Sequence, residues 1–229
     1  MRWLVQSRLR VRSVLAKATM AETLAADLAA CPSGPAVLVD DRQAIDALVG
    51  YRFTRGILAC AERPVLGNVD DLLARIGDGP DGLVLCDTVH DHANIGATIR
   101  NARCFGLAGA ILTPGCADPF FRKTVRVSVG HVFHLPLAQA TGTVSAITAL
   151  KHAGFTIYAG HRGPLSVPLR RLDTVAPRWC LVLGNEDRGP QPETLAACDR
   201  FVAIEMAPAV DSINVAAAGA VLMYALSSL

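Results

Sequence analysis

The chain has 229 residues, of which 52% are hydrophobic and 18% charged, and its formal net charge is +2. This composition excludes a globally disordered chain and supplies enough apolar residues for a sizeable core. The small net charge neither requires nor excludes a nucleic-acid partner.

Residues 1–76 predict a small α/β domain. We expect a helix over 8–29, strands over 36–40 and 56–62, and a helix over 41–50 between the two strands. The following segment GDGPDG, residues 77–82, is dense in turn residues and predicts a linker to a second domain.

The second domain, residues 83–229, alternates between short apolar runs and helical patterns. Strands are predicted over 83–87, 108–114, 132–138, 155–160, 179–184 and 201–206. Helices are predicted over 94–105, 119–128, 143–153 and 191–198, and a last helix begins near Asn214. This alternation predicts an α/β fold with a parallel sheet and helices on both faces, and such sheets bind ligands beyond the carboxyl ends of their strands.

The seven cysteines include no C-x-x-C pair, and several of them lie within apolar runs. They predict free thiols in a reducing cytoplasm rather than a disulfide framework. The histidines of HDH, residues 90–92, lack further ligands at a suitable spacing, so we predict no metal site. The apolar C-terminal segment 213–229 is shorter than the roughly 20 residues of a membrane-spanning helix, which favours a buried or interface helix and no membrane partner.

Three polar stretches follow strands of the second domain. In NIGATIR, residues 94–100, Asn94 is expected to cap a helix and Gly96 to permit a close backbone approach. In LVLGNEDRGP, residues 181–190, Glu186 lies between two glycines at the end of a strand. Each stretch taken alone is compatible with an ordinary capped helix or a polar loop.

The third stretch, DSINVAAAGAV, residues 211–221, opens the last helix, and Asp211 or Ser212 is expected to cap it. In this order and at these spacings, the patterns N-x-G-x-x-x-R, G-x-E-x-x-G and S-[LI]-N-V resemble the three signature motifs of the SpoU (TrmH-like) family of the SPOUT class. The resemblance covers about residues 83–229. Residues 1–76 resemble, less specifically, a small RNA-binding domain that many members carry.

The resemblance implies an S-adenosylmethionine-dependent enzyme that methylates a ribose 2′-hydroxyl in tRNA or rRNA. It also implies a C-terminal trefoil knot in the sheet domain, a homodimer whose site lies near the subunit interface, and no metal. Arg100 is expected to bind phosphate and stabilise a developing oxyanion, because a guanidinium stays protonated up to pH ~12 and is a poor base.

The resemblance also assigns residues to roles. The implied catalytic residues are Asn94, Arg100, Glu186, Ser212 and Asn214. The implied cofactor-binding residues are Thr113, Pro114, Gly115, Leu183, Gly184, Asn185, Glu186, Gly189, Ile204, Met206, Ser212, Ile213 and Asn214. The RNA-binding candidates are Arg100, Arg103, Arg122, Lys123 and Arg126, which form basic clusters in the sequence.

Two other functions remain open. The chain departs from the family pattern at Pro190, Glu205, Pro208 and Ala216. The changed 204–208 segment leaves open a non-catalytic RNA-binding or ribosome-assembly protein on the same scaffold. The α/β pattern would also suit a nucleotide-binding oxidoreductase, although G-x-G-x-x-G is missing after the first strand of the second domain.

Overall fold

The computed structural model describes residues 1–50, 52–79, 81–210 and 212–229. These residues divide into two compact units, Met1–Val65 and Leu66–Leu229. The division falls before the predicted linker, because residues 69–76 form a helix whose buried Val69 and Leu72 belong to the core of the second unit. Within the described ranges no helix is long and apolar enough to cross a membrane.

The first unit contains a three-stranded sheet in the order β2-β1-β3. Its strands are β1 (Val11–Ala16), β2 (Ala36–Val39) and β3 (Ile57–Ala61), and its helices are α1 (Arg2–Val5), α2 (Ala18–Thr23), α3 (Ala25–Ala29) and α4 (Arg42–Val49). Strand β1 is parallel to β2 and antiparallel to β3. The unit is therefore of the mixed α/β type that the sequence predicts.

The predicted helix over 8–29 is wrong in its first half, because residues 11–16 form the central strand β1. Val11 and Val14 are both buried although they lie three residues apart. The register with β3 shifts between Val11 and Ser13, and such a bulge turns both valines to the same face. A bulged strand thus reproduces a spacing that is typical of a helix.

The second unit contains a seven-stranded sheet in the order β6-β5-β4-β9-β7-β10-β8, and its paired strands are all parallel. Its strands are β4 (Asp81–Cys86), β5 (Gly109–Leu112), β6 (Leu137–Gln139), β7 (Thr156–Gly160), β8 (Val167–Pro168), β9 (Arg178–Leu183) and β10 (Arg200–Ala203). Its helices are α5 (Val69–Ile76), α6 (His92–Cys104), α7 (Arg122–Val127), α8 (Thr143–His152), α9 (Pro192–Ala197) and α10 (Val215–Ser228), with short 3-10 turns at His131–Phe133 and Leu169–Arg171.

Both faces of this sheet are covered. Leu83 and Leu85 of β4 pack into one apolar cluster with residues of α5 and α8. Val84 and Cys86 of the same strand point the other way, into a cluster with residues of α6 and α10. Alternate residues of one strand therefore serve two cores, and the predicted α/β class is confirmed.

Several predicted elements differ in their bounds: the helix predicted over 119–128 is Arg122–Val127, and the strand predicted over 201–206 is Arg200–Ala203. The strand predicted over 132–138 is only Leu137–Gln139, because residues 131–133 form a 3-10 turn and Pro136 has no N–H for a strand ladder. The linker predicted over 77–82 is also wrong in part, since Asp81 and Gly82 already pair with β9.

The helix caps correct two further predictions. Helix α6 is capped by the side chain of Asp91, which accepts hydrogen bonds from the N–H groups of Ala93 and Asn94, so Asn94 is not the cap. Helix α10 begins near Asn214 as predicted, and Asn214 itself is the cap. Ser212 is therefore not the cap, and Asp211 lies outside the described residues.

Candidate functional site

A cavity of about 260 Å³ lies at the carboxyl ends of β7, β9 and β10 in the second unit. This is the edge at which parallel α/β sheets bind ligands. The predicted cofactor residues that line it are Leu183, Gly184, Asn185, Glu186, Gly189, Ile204, Met206, Ser212 and Ile213. The fold therefore brings residues of the second polar stretch, 181–190, and of the third, 211–221, together in the lining of one cavity.

The remaining predicted cofactor residues lie outside the lining. Thr113 is buried at the end of β5, and β4 separates that strand from β9. The Thr113 hydroxyl accepts a hydrogen bond of 3.0 Å from the N–H of Thr88, and Gly115 offers its carbonyl to the His90 ring at 2.7 Å. Pro114 is exposed between them. Thr113 and Gly115 therefore support the loop after β4.

Sequence reasoning missed several lining residues, among them Gly160, the last residue of β7, and His161 and Arg162, which follow that strand. Since β7 lies between β9 and β10 in a parallel sheet, its carboxyl end opens at the same edge. The Arg162 guanidinium donates a hydrogen bond of 3.1 Å to the carbonyl of Val210, in the segment before α10. The strand order, which the sequence does not specify, is the signal that would have found them.

The loop from Gly184 to Pro190 is tightly closed. A Cβ on Gly184 would lie 2.0 Å from the Pro190 nitrogen, so only glycine permits this approach. Asn185 and Gly189 exchange backbone hydrogen bonds of 3.2 and 2.9 Å. The buried Asn185 side chain accepts from the N–H of Asp187 at 3.0 Å and donates to the carbonyl of Thr88 at 2.9 Å. The loop therefore has a fixed shape and a fixed attachment to the segment that follows β4.

A directed chain of hydrogen bonds joins the three polar stretches. The Glu186 carboxylate can only accept, so the Asn94 amide donates to its Oε1 at 2.9 Å. The Asn94 oxygen is thereby left to accept from the Asn214 amide at 2.8 Å. The Asn214 oxygen in turn caps α10 by accepting from the N–H groups of Ala216 and Ala217. We call this arrangement the Glu186–Asn94–Asn214 chain.

The pKa of Glu186 is lowered from its ordinary value by this arrangement. Burial acts to raise it, but hydrogen bonds from the Asn94 side chain and from the backbone N–H groups of Glu186, Asp91 and His90 outweigh burial. The same N–H groups of His90 and Asp91 lie 3.3 and 3.1 Å from the carboxylate oxygens. Glu186 is thus an ionised acceptor whose lone pairs are engaged, which suits positioning better than proton transfer.

Arg100 does not line the cavity. It is exposed on α6, six residues after Asn94, which is about 9 Å along the helix axis at 1.5 Å per residue. Arg103 is exposed one helical turn beyond it. The pKa of His131 is lowered from its ordinary value. Burial is the largest cause, and the charges of Arg103, Arg100 and His134 add to it. The two arginines therefore form a positive region with the 131–134 segment.

The other RNA-binding candidates lie on or beside α7. The Lys123 ammonium pairs with the Asp91 carboxylate at 3.2 Å, so its charge is partly matched within the chain. Arg122 and Arg126 are exposed on the same helix. Gly96 of α6 faces this helix, where a Cβ would lie 2.7 Å from the Thr124 carbonyl. The close approach expected at Gly96 is therefore made by α7.

Comparisons with known proteins show that this chain is similar to RNA methyltransferases. The family model described as SpoU rRNA Methylase family matches residues 82–224. An uncharacterised tRNA/rRNA methyltransferase of Mycobacterium bovis is 32% identical over 77% of this chain and 61% of its own length. A 23S rRNA (guanosine-2′-O-)-methyltransferase of Acinetobacter baylyi is 29% identical over 84% of this chain and 78% of its own length.

A solved structure extends the similarity to the fold. The S-adenosylmethionine-bound rRNA methyltransferase of Sinorhizobium meliloti has a TM-score of 0.82 and 26% sequence identity, and the match covers 99% of this chain and 82% of that chain. The chain spans 61% of the length of the Mycobacterium relative. The similarity to the Sinorhizobium meliloti structure therefore extends over almost the whole of this chain.

Proposed function

The chain belongs to the SpoU rRNA methylase family, and we propose that it is an S-adenosylmethionine-dependent methyltransferase acting on a ribose 2′-hydroxyl of tRNA or rRNA. The observation that carries the proposal is the Glu186–Asn94–Asn214 chain, of which Glu186 lines the cavity. Its hydrogen bonds link all three polar stretches. Because the Glu186 carboxylate can only accept, it determines which group donates in each bond.

The cavity fits the donor chemically. Apolar side chains of Leu183, Ile204 and Met206 line it together with the closed loop from Gly184 to Pro190. Apolar walls with a few fixed polar groups are typical of sites for nucleoside-sized ligands. The carboxylate of Glu186 on the wall favours a cationic ligand. When bound, a sulfonium donor supplies an electrophilic methyl group, and that chemistry requires no metal.

In this proposal the chain's own residues orient the reactants. Arg100 binds the phosphate beside the target ribose and stabilises negative charge that develops on the attacking oxygen. Asn94, Glu186 and Asn214 hold the loops around the donor, and Ser212, which is exposed on the cavity lining, contacts ribose or donor. Alignment of oxygen, carbon and sulfur supplies the main part of the rate enhancement.

We further propose that the enzyme is a homodimer, in which Arg100 of one subunit acts at the cavity of the other. The surface of α10 supports the homodimer, because this largely apolar helix exposes two large side chains, Val221 by 43% and Tyr224 by 62%. The Phe105 and Tyr224 rings lie in contact, with centroids 5.8 Å apart, and extend that surface to α6. Apolar patches of this kind are typical of subunit interfaces.

The first unit is proposed to bind RNA and the enzyme to work in the cytoplasm. Arg8, Arg10, Arg12 and Lys17 provide basic groups in the first unit, although Arg10 and Arg12 share the Glu62 carboxylate at 3.6 and 2.9 Å. The cysteines are all free, which supports a reducing compartment.

The test is transfer of a labelled methyl group from S-adenosylmethionine to structured RNA. We expect Arg100→Ala to lower the transfer rate by about 100-fold or more while donor affinity stays unchanged. Arg75→Ala, on the exposed side of α5, is the control and should keep the wild-type rate. RNA binding without any donor affinity in the wild-type chain would instead favour a non-catalytic RNA-binding protein.

A further inference from the structure

Asp87 is a buried carboxylate that lies outside the cavity lining. It directly follows β4 and is 1% exposed. Its Oδ1 accepts a hydrogen bond of 2.7 Å from the Thr143 hydroxyl. Its Oδ2 accepts from the Thr194 hydroxyl at 2.8 Å and from the backbone N–H of Gln191 at 3.3 Å. Burial of a carboxyl group without such hydrogen bonds is very costly.

These contacts place Asp87 at both ends of the closed loop from Gly184 to Pro190. Its backbone N–H donates to the carbonyl of Leu183, at 2.8 Å, just before the loop begins. Its carboxylate accepts from Gln191, just after the loop ends. Gly184 and Pro190 are in direct contact within the loop. Asp87 therefore fixes both chain segments at the base of the loop, the one that enters it at Leu183 and the one that leaves it at Gln191.

We propose that Asp87 is a positioning residue for the donor pocket: it fixes the base of the 184–190 loop so that the loop keeps the shape that binds S-adenosylmethionine. The inference rests on the proposed function, namely that the cavity binds this donor. The hydroxyls of Thr143 and Thr194 tie the same carboxylate to α8 and α9, so the loop is braced against two helices.

Two variants of Asp87 separate this role from general stability. Asp87→Ala removes the acceptors for Gln191, Thr143 and Thr194. Asp87→Asn can keep the acceptor for Gln191 and Thr194, because its amide can take the Oδ1 side and donate to the Thr143 hydroxyl, which can reverse its role. The asparagine variant is thus the conservative rescue of the alanine variant.

The experiment measures affinity for S-adenosylmethionine by calorimetry and affinity for total tRNA by filter binding, with thermal unfolding in parallel. We expect Asp87→Ala to weaken donor binding by about tenfold or more, and Asp87→Asn by less than about threefold. Both variants should bind tRNA within about twofold of wild type. A merely structural role would lower the unfolding temperature and leave the donor affinity of the folded protein unchanged.

The outcomes distinguish the inference from the proposed function. If wild type binds the donor and folded Asp87→Ala binds it equally well, only the positioning role is overturned. If wild type binds no donor at all, the proposed function fails and the positioning role fails with it. Should Asp87→Ala not fold, Thr194→Val decides: weaker donor binding with unchanged tRNA binding supports the role, and unchanged donor binding overturns it.

Discussion

Asn94→Asp tests the direction of the Glu186–Asn94–Asn214 chain with almost no change in side-chain size. The substitution replaces the amide that donates to Glu186 Oε1 at 2.9 Å with a carboxylate oxygen. A hydrogen bond to a charged group contributes about 1.5–3 kcal/mol. Two carboxylates about 4 Å apart repel by about 1 kcal/mol in the high dielectric constant of water. That value applies here because Glu186 is exposed. We therefore expect the free energy of unfolding to fall by about 3 kcal/mol near neutral pH.

The assay is urea unfolding of wild type and Asn94→Asp at about pH 8 and about pH 4. In the variant, repulsion raises the pKa of one carboxyl of the pair, and below that pKa the shared proton restores a hydrogen bond. The difference between the two proteins should therefore shrink at the lower pH. A loss that is absent near neutral pH, or is the same at both pH values, would refute the directed chain.

Asn214→Asp provides the graded comparison. Its retained oxygen still accepts from Ala216 and Ala217, and aspartate caps helices about as well as asparagine. Only the donation to the neutral Asn94 oxygen is lost, at a cost of about 1 kcal/mol. We expect Asn94→Asp to be the more damaging of the two variants, and the reverse order would contradict the assignment.

Three further predictions concern the same unit. Gly184→Ala should abolish donor binding in calorimetry, because its Cβ would lie 2.0 Å from the Pro190 nitrogen; unchanged binding would show that the loop can open without loss. Ala209 has a φ of 65°, a backbone conformation that is less favourable for a residue with a Cβ than for glycine. Ala209→Gly should therefore raise the free energy of unfolding by up to about 1 kcal/mol in urea titrations, and Ala209→Val should lower it. Because the pKa of His131 is lowered in the folded state, the unfolded chain binds more protons below about pH 6.5, so stability should fall as pH drops from about 7 to 5. His131→Gln should remove that part of the pH dependence, and an identical pH profile would contradict it.

The sequence predicts the second unit better than the first for a physical reason. Strands β4, β5 and β9 are buried on both faces, so they read as continuous apolar runs between turn residues. Strand β1 carries a bulge that imitates helical spacing, and local pattern alone does not separate the two. The register with a distant strand decides the outcome, and that information is not local.

The candidate site could be located from the motifs but not completed from them. Glu186, Asn94 and Asn214 carry the polar groups that the patterns single out, and the structure brings these three into contact. His161 and Arg162 follow a strand with no motif, and only the strand order places them on the cavity. Asp87 could not be recognised either, because its partners lie 56 to 107 residues away in the chain. The trefoil knot and the homodimer stay predictions.

The most direct test of the central claim identifies the atom that receives the methyl group. RNA from a strain that lacks the protein would be incubated with the purified protein and S-adenosylmethionine, then digested to nucleosides and analysed by mass spectrometry. Alkaline hydrolysis would map the site, because a methylated 2′-oxygen cannot attack the adjacent phosphate. The proposal predicts a new 2′-O-methylnucleoside and one linkage that resists alkali. A methyl group on a base, or no transfer to tRNA and rRNA by a chain that binds the donor, would contradict it.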